Sequence, residues 1–497
     1  MNDLVTYLML LGALGTGTSL PFWAVSNRNA LMMERDGAMV QATARTSFDD
    51  SKTFQWEWGV SLAANAQGAA EQEGSTLSVR PMVDELYVNA RWNVLRLDVG
   101  MQHRDREFMG ADAALGRDSH LGSLSMSEGH IVESNNTRSM PGYRLVLEPW
   151  AVPGTKDHLL ISGSYGDYKT LDDRYVRGTL VHRTQAYVRY QVNDRLHMQI
   201  GLDHYALWGG DSPRYGKMPV TFGNYFRVVT GGHASSSGTV SDQINVIGDQ
   251  GGAEHFRIGW SNGGRSVMFQ AEKPYNDGSG MGPQNFPDGL YTLHFGHDDK
   301  DRWVSDIVLE YLYSMWQSGT RHDRPATEEE KARQDPSHPQ YGRVIIGGGD
   351  SYFTNGEYLS GWTYYGRSIC CPLFFTGDYR GETMRVVNNR IKAFNFALSG
   401  KLFKVAPYKL TMTLSDNYGT YRNPYVAPST WETDWKWWKK NEIDRGVRQF
   451  SAAFLVDCPL GTLPVVAMCS LCYDTPGVLE GGFSIMAGLR WDLISHK

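Results

Sequence analysis

Several stretches of this chain alternate strictly between apolar and polar residues, and this pattern limits what the chain can fold into. Residues 54–65 carry apolar side chains on one parity and mainly polar side chains on the other. The segments 84–102, 185–203 and 483–493 repeat the pattern. Because successive side chains of a strand point to opposite faces, each segment predicts strands with one apolar and one polar face. The turn residues Asn93 and Asn193 predict hairpins.

Composition and charge narrow the class of protein but leave two all-β architectures open. The 497 residues include 54 glycines, 15 tryptophans and 26 tyrosines, and the net charge is −6. An apolar strand face could cover the core of a soluble sandwich or meet lipid. Strands of about 9–12 residues, with short turns on one side and long loops on the other, favour a transmembrane barrel. No run of ~20 apolar residues exists, which excludes a helical span, and the slightly acidic charge argues against a nucleic-acid partner.

The chain is predicted to form one domain over residues 1–497, with a few segments outside the strand pattern. Residues 1–19 contain a short apolar run without a preceding basic residue, which we interpret as the remnant of a signal or an N-terminal extension. Residues 103–153 are rich in Gly and Ser and weakly periodic, which indicates a plug or an inward-folded segment. Residues 325–341 predict a short acidic helix within a loop, and residues 430–445 an aromatic, basic loop or helical turn.

No motif supplies an argument for catalysis or for a bound metal. The sequence contains no nucleophile elbow, zincin, P-loop or EF-hand pattern. Cys469 and Cys472 have metal-ligand spacing, but residues three apart on a strand face opposite sides. His204 with Asp203 or Asp211 is the candidate acid/base pair, and Asp203 is the poorer partner because adjacent residues on a strand face opposite sides. We therefore predict no catalytic residues, no metal and no cofactor, and hence a protein that is not an enzyme.

Two aromatic clusters have a composition that suits glycan binding. The segment 347–375 is rich in Tyr, Trp, Asp, Asn and Gly, and the segment 435–438 contains three tryptophans and a lysine. Sugars pack their C–H patches on aromatic rings and place their hydroxyls on planar polar groups. The aromatic belt of an outer-membrane barrel has the same residue types, so both interpretations stay open for these clusters.

Six sequence blocks in order resemble the capsule-assembly Wzi family. They are LPFWAVSNRNA (20–30), DELYVNARWNVLRLDVGMQ (84–102), HYALWGGD (204–211), YFTNGEYLSGWTYYGR (352–367), NNRIKAFNFALSGKLF (388–403) and SDNYGTY (415–421). The resemblance implies a large antiparallel β-barrel in the cell outer membrane, of roughly eighteen strands and with a plugged lumen. It also implies a lectin-like role in attaching capsular or exopolysaccharide to the cell surface and in assisting capsule assembly.

The predicted partners are therefore a capsular or exopolysaccharide and outer-membrane lipid, with the polysaccharide export machinery as a further candidate. The alternatives are an outer-membrane transport barrel and a polysaccharide-acting hydrolase or lyase. The predicted polysaccharide-binding residues are Trp208, Asp211, Asp350, Tyr352, Trp362, Tyr364, Arg367, Trp435 and Trp437.

Overall fold

The strands close into one antiparallel barrel. The computed structural model describes residues 4–32, 34–71, 74–232, 247–276, 280–318, 324–337, 341–344, 350–379, 381, 383–421, 423–426 and 445–495. Within these ranges, eighteen strands pair in order around the barrel. The first strand pairs with the last, from Val5 opposite Ser495 to Gly15 opposite Ser484, which closes the sheet without a free edge.

The strands are numbered here along the chain. They are β1 Leu4–Gly15, β2 Gly37–Thr46, β3 Phe54–Glu71, β4 Gly74–Trp92, β5 Leu95–Met101, β6 Gly142–Ala151, β7 Leu159–Lys169, β8 Leu180–Asn193, β9 Leu196–Trp208, β10 Asp249–Ser261, β11 Arg265–Tyr275, β12 Gly289–His297, β13 Asp306–Tyr313, β14 Ile391–Leu402, β15 Ala406–Asn417, β16 Val447–Pro459, β17 Val465–Asp474 and β18 Gly482–Ser495.

The alternation in sequence corresponds to the two faces of the barrel wall. On β3, Phe54, Trp56 and Leu62 are exposed on the outer face, whereas Ser61 and Asn65 are buried on the lumen side. The predicted hairpins are present, since β4 pairs with β5 and β8 pairs with β9. An outer face of exposed apolar side chains around a closed barrel is the arrangement that spans an outer membrane. The protein is therefore an outer-membrane β-barrel.

Exposed tryptophans mark one edge of the membrane-facing surface. In the described part of the chain, the exposed tryptophans lie beside short turns or near the end of β18: Trp56, Trp92, Trp150, Trp260, Trp303 and Trp491. Tryptophan is enriched where a barrel meets the interface between lipid and water. These six rings lie at the short-turn end of the barrel wall, where an interfacial girdle is expected, and they are not part of the outer loops.

The two ends of the barrel differ in their connections. One end carries short turns, such as residues 93–94, 194–195 and 262–264. The other end carries the long connections 102–141 and 314–390. In barrels of this kind the short turns face the periplasm and the long loops face outward. This rule assigns the long-loop end to the cell exterior.

Residues 103–141, here called the plug, fold back into the lumen. The plug bonds to inward-facing residues of strands around most of the wall: Tyr7 on β1, Arg45 on β2, Glu85 on β4, Glu272 on β11, Glu310 on β13, Ser399 on β14, Lys409 on β15, Asp457 on β16 and Ser470 on β17. Fixed polar contacts on so many sides hold the plug in one position.

The outer end of the barrel carries short helices and small hairpins. The helices are α1 Phe22–Val25, α2 Phe222–Thr230 and α3 Glu328–Lys331, and a short 3₁₀ turn lies at Pro283–Asn285. A second 3₁₀ turn, Ala113–Asp118, belongs to the plug inside the lumen. The acidic helix expected within residues 325–341 is α3, which Thr327 caps. Two-residue strands pair Asp211–Ser212 with Gly216–Lys217, Arg324–Pro325 with Arg343–Val344, and Thr363–Tyr364 with Arg367–Ser368. A longer hairpin pairs Thr376–Tyr379 with Thr383–Val386. No helix among the described residues is long and apolar enough to cross a bilayer.

Two boundary predictions need correction. Residues 4–15, interpreted as part of a signal remnant or extension, form the barrel strand β1 that pairs with both β2 and β18. The segment 103–153 is not inward-folded throughout, because residues 142–151 form the wall strand β6. Weak periodicity at Gly142 and Tyr143 concealed this strand. Cys469 and Cys472 lie on β17, as the strand interpretation predicted.

Candidate functional site

The outer mouth of the barrel is covered by residues 350–375, here called the lid. The lid packs on the plug beneath it: the Cys371 N–H donates to the Ile131 carbonyl at 3.1 Å, and the Ser134 hydroxyl donates to the Cys370 carbonyl at 2.8 Å. Because the lid and the plug share buried backbone hydrogen bonds, they form one closed layer across the lumen.

The three aromatic residues of the lid that were predicted to bind glycan form the core of this layer. Trp362 is fully buried, stacks on Tyr205 of β9 at 3.9 Å between ring centroids, and donates from Nε1 to the Val132 carbonyl at 2.7 Å. Tyr352 and Tyr364 are also fully buried. Buried rings offer no face to a polymer at the surface, so the structure corrects the expectation of direct glycan contact at Tyr352, Trp362 and Tyr364.

A buried carboxylate anchors the lid to the loop before β12. Asp288 accepts hydrogen bonds from the backbone N–H groups of Trp316 and Gln317 and from the Tyr352 hydroxyl, the last at 2.8 Å. Burial raises the pKa of Asp288 to about 6, although these three donors favour its charged form. Asp350 of the predicted set lies nearby, buried, and accepts from Asn285 at 3.0 Å.

Trp208 lies on the outer surface of the wall rather than at the mouth. Its ring centroid lies 5.6 Å from that of Tyr225 on α2, within a cluster that also contains Val228 and Ile247. Trp208 thus anchors an amphipathic helix to the barrel exterior. It is buried beneath α2, which removes it from the candidates for direct glycan contact.

The residues of the candidate acid/base pair have different surroundings. His204 contacts the Gln250 side chain at 3.0 Å through Nε2, while the preceding Asp203 accepts from Gln185 and Tyr187. Asp211 instead lies beyond the strand end, where its backbone pairs with that of Arg177. No hydrogen bond or ion pair of the described residues joins His204 to Asp211.

Arg367 joins the lid to the N-terminal loop. Its guanidinium donates to the Val25 carbonyl at 3.1 Å and lies 3.8 Å from the Glu34 carboxylate. Burial lowers the pKa of Arg367. This position gives Arg367 a structural contact within the outer loops. Trp435 and Trp437, with the rest of the aromatic segment 427–444, lie outside the described residues.

A large open groove lies beside the lid. This outer groove has a volume of about 940 Å³ and runs between the lid and the loop that connects β7 to β8. Mainly polar and aromatic residues line it, from these two segments and from two neighbouring turns: Asp172, Asp173, Arg174, Tyr175, Arg177, Asp211, Pro213, Ser360, Thr363, Tyr365, Gly366, Thr383 and Met384. Of the nine residues predicted from sequence, Asp211 is in the groove lining, and it is exposed there.

Arg174 holds the two walls of the groove together. This buried side chain donates to the Thr363 carbonyl at 3.1 Å and to the Gly361 carbonyl at 2.8 Å. The Tyr365 N–H donates to the Asp172 carboxylate at 3.0 Å. Burial raises the pKa of Asp172 and lowers the pKa of Arg174, and the attraction between the two charges opposes both shifts. The groove is therefore built on a fixed frame.

Tyr365 presents an aromatic ring at the edge of the groove. The ring is 41% exposed, and the Arg138 guanidinium lies 4.6 Å from its centroid. Asp173 and Arg177 form an ion pair at 3.0 Å in which both side chains are largely exposed. Such exposed pairs are weak, so these groups can exchange partners for the hydroxyls of a ligand. Sequence reasoning overlooked Tyr365 and the charged run Asp172–Arg177, although both are visible in the sequence.

The lumen also retains a separate cavity below the lid. It has a volume of about 350 Å³ and lies between the plug and the wall strands β5 to β8. Arg96, Arg104, Arg144, Glu133 and Glu148 are among its lining residues. Glu133 pairs with both Arg104 and Arg183, which places ion pairs between this cavity and the outer mouth.

Comparison with known proteins supports the fold. No protein-family model and no curated protein matches the sequence. Among solved structures, the chain is similar to Wzi of Escherichia coli, described as a carbohydrate-binding β-barrel involved in group 1 capsule assembly, with 12% identity, a TM-score of 0.52, and coverage of 99% of this chain and 84% of that chain. OccAB2 of Acinetobacter baumannii matches with 9% identity, a TM-score of 0.43, and coverage of 99% and 98%. OccD3 (OpdP) of Pseudomonas aeruginosa matches with 7% identity, a TM-score of 0.43, and coverage of 99% and 91%. At these identities, the Wzi likeness establishes a shared barrel fold.

Proposed function

We propose that this outer-membrane barrel is a non-enzymatic, lectin-like protein that binds a capsular or exopolysaccharide at the outer groove and attaches it to the cell surface. The observation that carries the proposal is the outer groove itself: an open site of about 940 Å³ on the outward end, lined by planar polar groups and bordered by the exposed ring of Tyr365. The carbohydrate binding reported for the structurally similar Wzi supports it.

The chemistry of the groove suits sugar hydroxyls. Asp173, Asp211 and Arg177 offer paired acceptors and donors to adjacent hydroxyl groups, and Tyr365 offers a ring to a C–H face. The net charge of the chain is only −6, so capture depends on these local groups rather than on bulk attraction. A long polymer with repeating units engages many barrels in the same membrane, and this multivalency converts weak single contacts into retention.

The test uses a deletion strain of the source organism that carries either the wild-type gene or a variant. We expect the wild-type protein to keep polymer on the cells, and Tyr365→Ala with Asp211→Ala to release polymer into the medium at unchanged total synthesis. Tyr341→Ala is the matched control, because Tyr341 is 44% exposed in another part of the connection 314–390 and does not line the groove. Equal retention by the groove variant and the wild type would contradict the proposal.

A second candidate function is solute transport, which the lumen cavity of about 350 Å³ favours. For a solute to pass, the ion pairs of Glu133 with Arg104 and Arg183 have to open. Single-channel recordings in planar bilayers distinguish the two functions. Transport predicts discrete conductance steps that increase in Glu133→Gln, whereas a closed lectin predicts no steps for the wild-type protein.

A further inference from the structure

Three metal-ligating side chains from separate segments meet in the lumen, away from the outer groove. His130 belongs to the plug, and His255 and Glu272 lie directly opposite each other in the register of β10 and β11. The Nδ1 atoms of His130 and His255 lie 3.0 Å and 3.1 Å from the same carboxylate oxygen, Glu272 Oε1. All three potential ligand atoms lie within 4.8 Å of one another.

These distances are close to those of a transition-metal site. Ligands at 2.0–2.1 Å from a tetrahedral Zn²⁺ are separated by about 3.3 Å, so two of the three edges already match within a few tenths of an ångström. Two imidazoles and one carboxylate form a donor set that suits Zn²⁺ and related divalent ions. Contraction of the third edge, between the two imidazoles, completes the triangle.

The surroundings of the three side chains resemble the outer shell of known metal sites. The Nε2 atom of His130 lies 3.5 Å from a Glu107 carboxylate oxygen. The Nε2 atom of His255 lies 3.4 Å from the Gln199 amide nitrogen, and coordination through Nδ1 of His255 requires this amide to turn its oxygen toward the Nε2–H group. A histidine that binds metal through one ring nitrogen commonly bonds a carboxylate or another polar group through the other. Glu107 is in turn held by Arg257. Both imidazoles are therefore oriented with Nδ1 toward Glu272.

The site has space for a further ligand. His130 is among the lining residues of the lumen cavity of about 350 Å³. Tyr187 belongs to the same lining, and its ring centroid lies 5.4 Å from that of His255. A water from this cavity can fill the fourth position of a tetrahedral ion. Metal binding displaces any Nδ1 protons from both histidines, because the ligating nitrogen must be unprotonated.

We propose that His130, His255 and Glu272 bind one divalent transition-metal ion of the Zn²⁺ type, which joins the plug to the barrel wall. The ion replaces the hydrogen bonds from the two imidazoles to Glu272 with direct coordination. One ligand comes from the plug and two from the wall, so the bound ion resists movement of the plug. This inference is independent of glycan binding at the outer groove.

The experiment titrates Co²⁺ into the full-length protein in detergent after treatment with a chelator. We expect one Co²⁺ per chain, visible d–d absorption, displacement by Zn²⁺, and a higher urea midpoint in the presence of Zn²⁺. His255→Gln and Glu272→Gln are expected to abolish stoichiometric binding. Glu107→Gln keeps all three ligands and is expected to weaken binding about tenfold.

The matched control is His294→Gln. His294 lies 3.0 Å from the Asp306 carboxylate on the lumen wall, which is a comparable pair of imidazole and carboxylate outside this cluster. We expect His294→Gln to bind Co²⁺ like the wild type. Folding of each variant is checked by its migration in SDS before and after boiling. If His255→Gln does not fold, the Co²⁺ affinity of the Glu107→Gln variant decides the test: weaker binding than in the wild type supports the proposal, and equal binding contradicts it.

Absence of stoichiometric binding by the wild-type protein would overturn the proposal. Unchanged Co²⁺ affinity in a folded His255→Gln variant would overturn it as well, and so would an equal loss in His294→Gln. Failure of these metal measurements would leave retention of polymer by the groove unaffected, because Tyr365 and Asp211 lie outside the metal cluster.

Discussion

Tyr364 and Tyr365 are neighbours in one small hairpin, yet they belong to two different regions of the molecule. Tyr364 is 0% exposed in the lid core, whereas Tyr365 is 41% exposed beside the outer groove. The lid core uses its aromatic rings for packing, and the groove offers its ring to solvent. The comparison teaches that aromatic composition at the mouth of a barrel does not distinguish a binding platform from a folded cap, since burial decides between them.

The largest difference between the two regions is expected for Trp362→Ala. This change removes the stack on Tyr205 and the hydrogen bond to Val132, and it leaves a cavity between lid and plug. We expect a loss of about 3–5 kcal/mol, measured as a lower urea midpoint of the protein in detergent. Tyr365→Ala is the paired variant from the groove. Equal shifts of the midpoint in the two variants would remove the distinction between lid core and groove.

A pH effect is expected from Asp288 beneath the lid. Its folded pKa of about 6 lies above its usual value, so the folded protein binds the proton more tightly than the unfolded chain does. The stabilisation from this proton is complete below about pH 4 and is lost as the pH rises through 6. The upper limit of the change is about 3 kcal/mol, since each pKa unit corresponds to about 1.4 kcal/mol.

Asp288→Asn isolates this contribution, because all other titrating groups are shared with the wild type. We expect the stability of the wild type, relative to the variant, to fall between pH 4 and pH 7 in urea titrations. Asp211→Asn, at an exposed position outside the lid core, is the control: it leaves Asp288 in place and should keep the fall in stability that Asp288 causes. A constant difference between wild type and Asp288→Asn would show that the buried carboxylate does not titrate there.

A smaller effect is expected where the lid meets the groove. Arg174→Lys keeps the charge but loses the planar fork that bonds Gly361 and Thr363. We expect a loss of about 1–3 kcal/mol of stability together with weaker polymer binding, because the groove wall is no longer fixed. Urea titration and polymer binding are measured on the same preparation. A loss of stability without a loss of polymer binding would show that the Arg174 contacts stabilise the fold but do not shape the groove.

The smallest effect on stability is expected for Tyr365→Ala. An exposed ring contributes little to folding, so the midpoint should change by less than about 0.5 kcal/mol. Its affinity for a short fragment of the polymer should fall about three- to tenfold, as expected for the loss of one aromatic contact. A change in stability larger than the change in binding would assign Tyr365 to the lid core instead.

The wall of the barrel could be predicted from sequence because each strand carries its own signal. Phe54, Trp56 and Leu62 alternate with Ser61 and Asn65, and the parity separates the apolar face from the polar face of the strand. The boundary between the plug and β6 was harder to predict from sequence, because the start of β6 has glycine and mixed polarity. Local pattern predicts local structure, and it weakens where a strand has little contrast between its faces.

The candidate sites depended on contacts between distant segments, which composition cannot reveal. Trp362 is buried because Tyr205 and Val132 meet it across the mouth of the barrel. The proposed metal ligands His130, His255 and Glu272 have no motif spacing, because the plug and two wall strands supply them separately. Sequence reasoning predicted no metal for this reason, and it placed Asp211 in the binding set without Arg177, the residue that pairs with it through the backbone.

The most direct test of the central claim is the binding of polymer isolated from the source cells to the purified barrel, measured by biolayer interferometry. The proposal predicts saturable binding by the wild type, weakened in Tyr365→Ala and Asp211→Ala and unchanged in Tyr341→Ala, with all four proteins folded by their migration in SDS. Absence of binding by the wild type, or equal binding by the groove variants and the Tyr341 control, would contradict it.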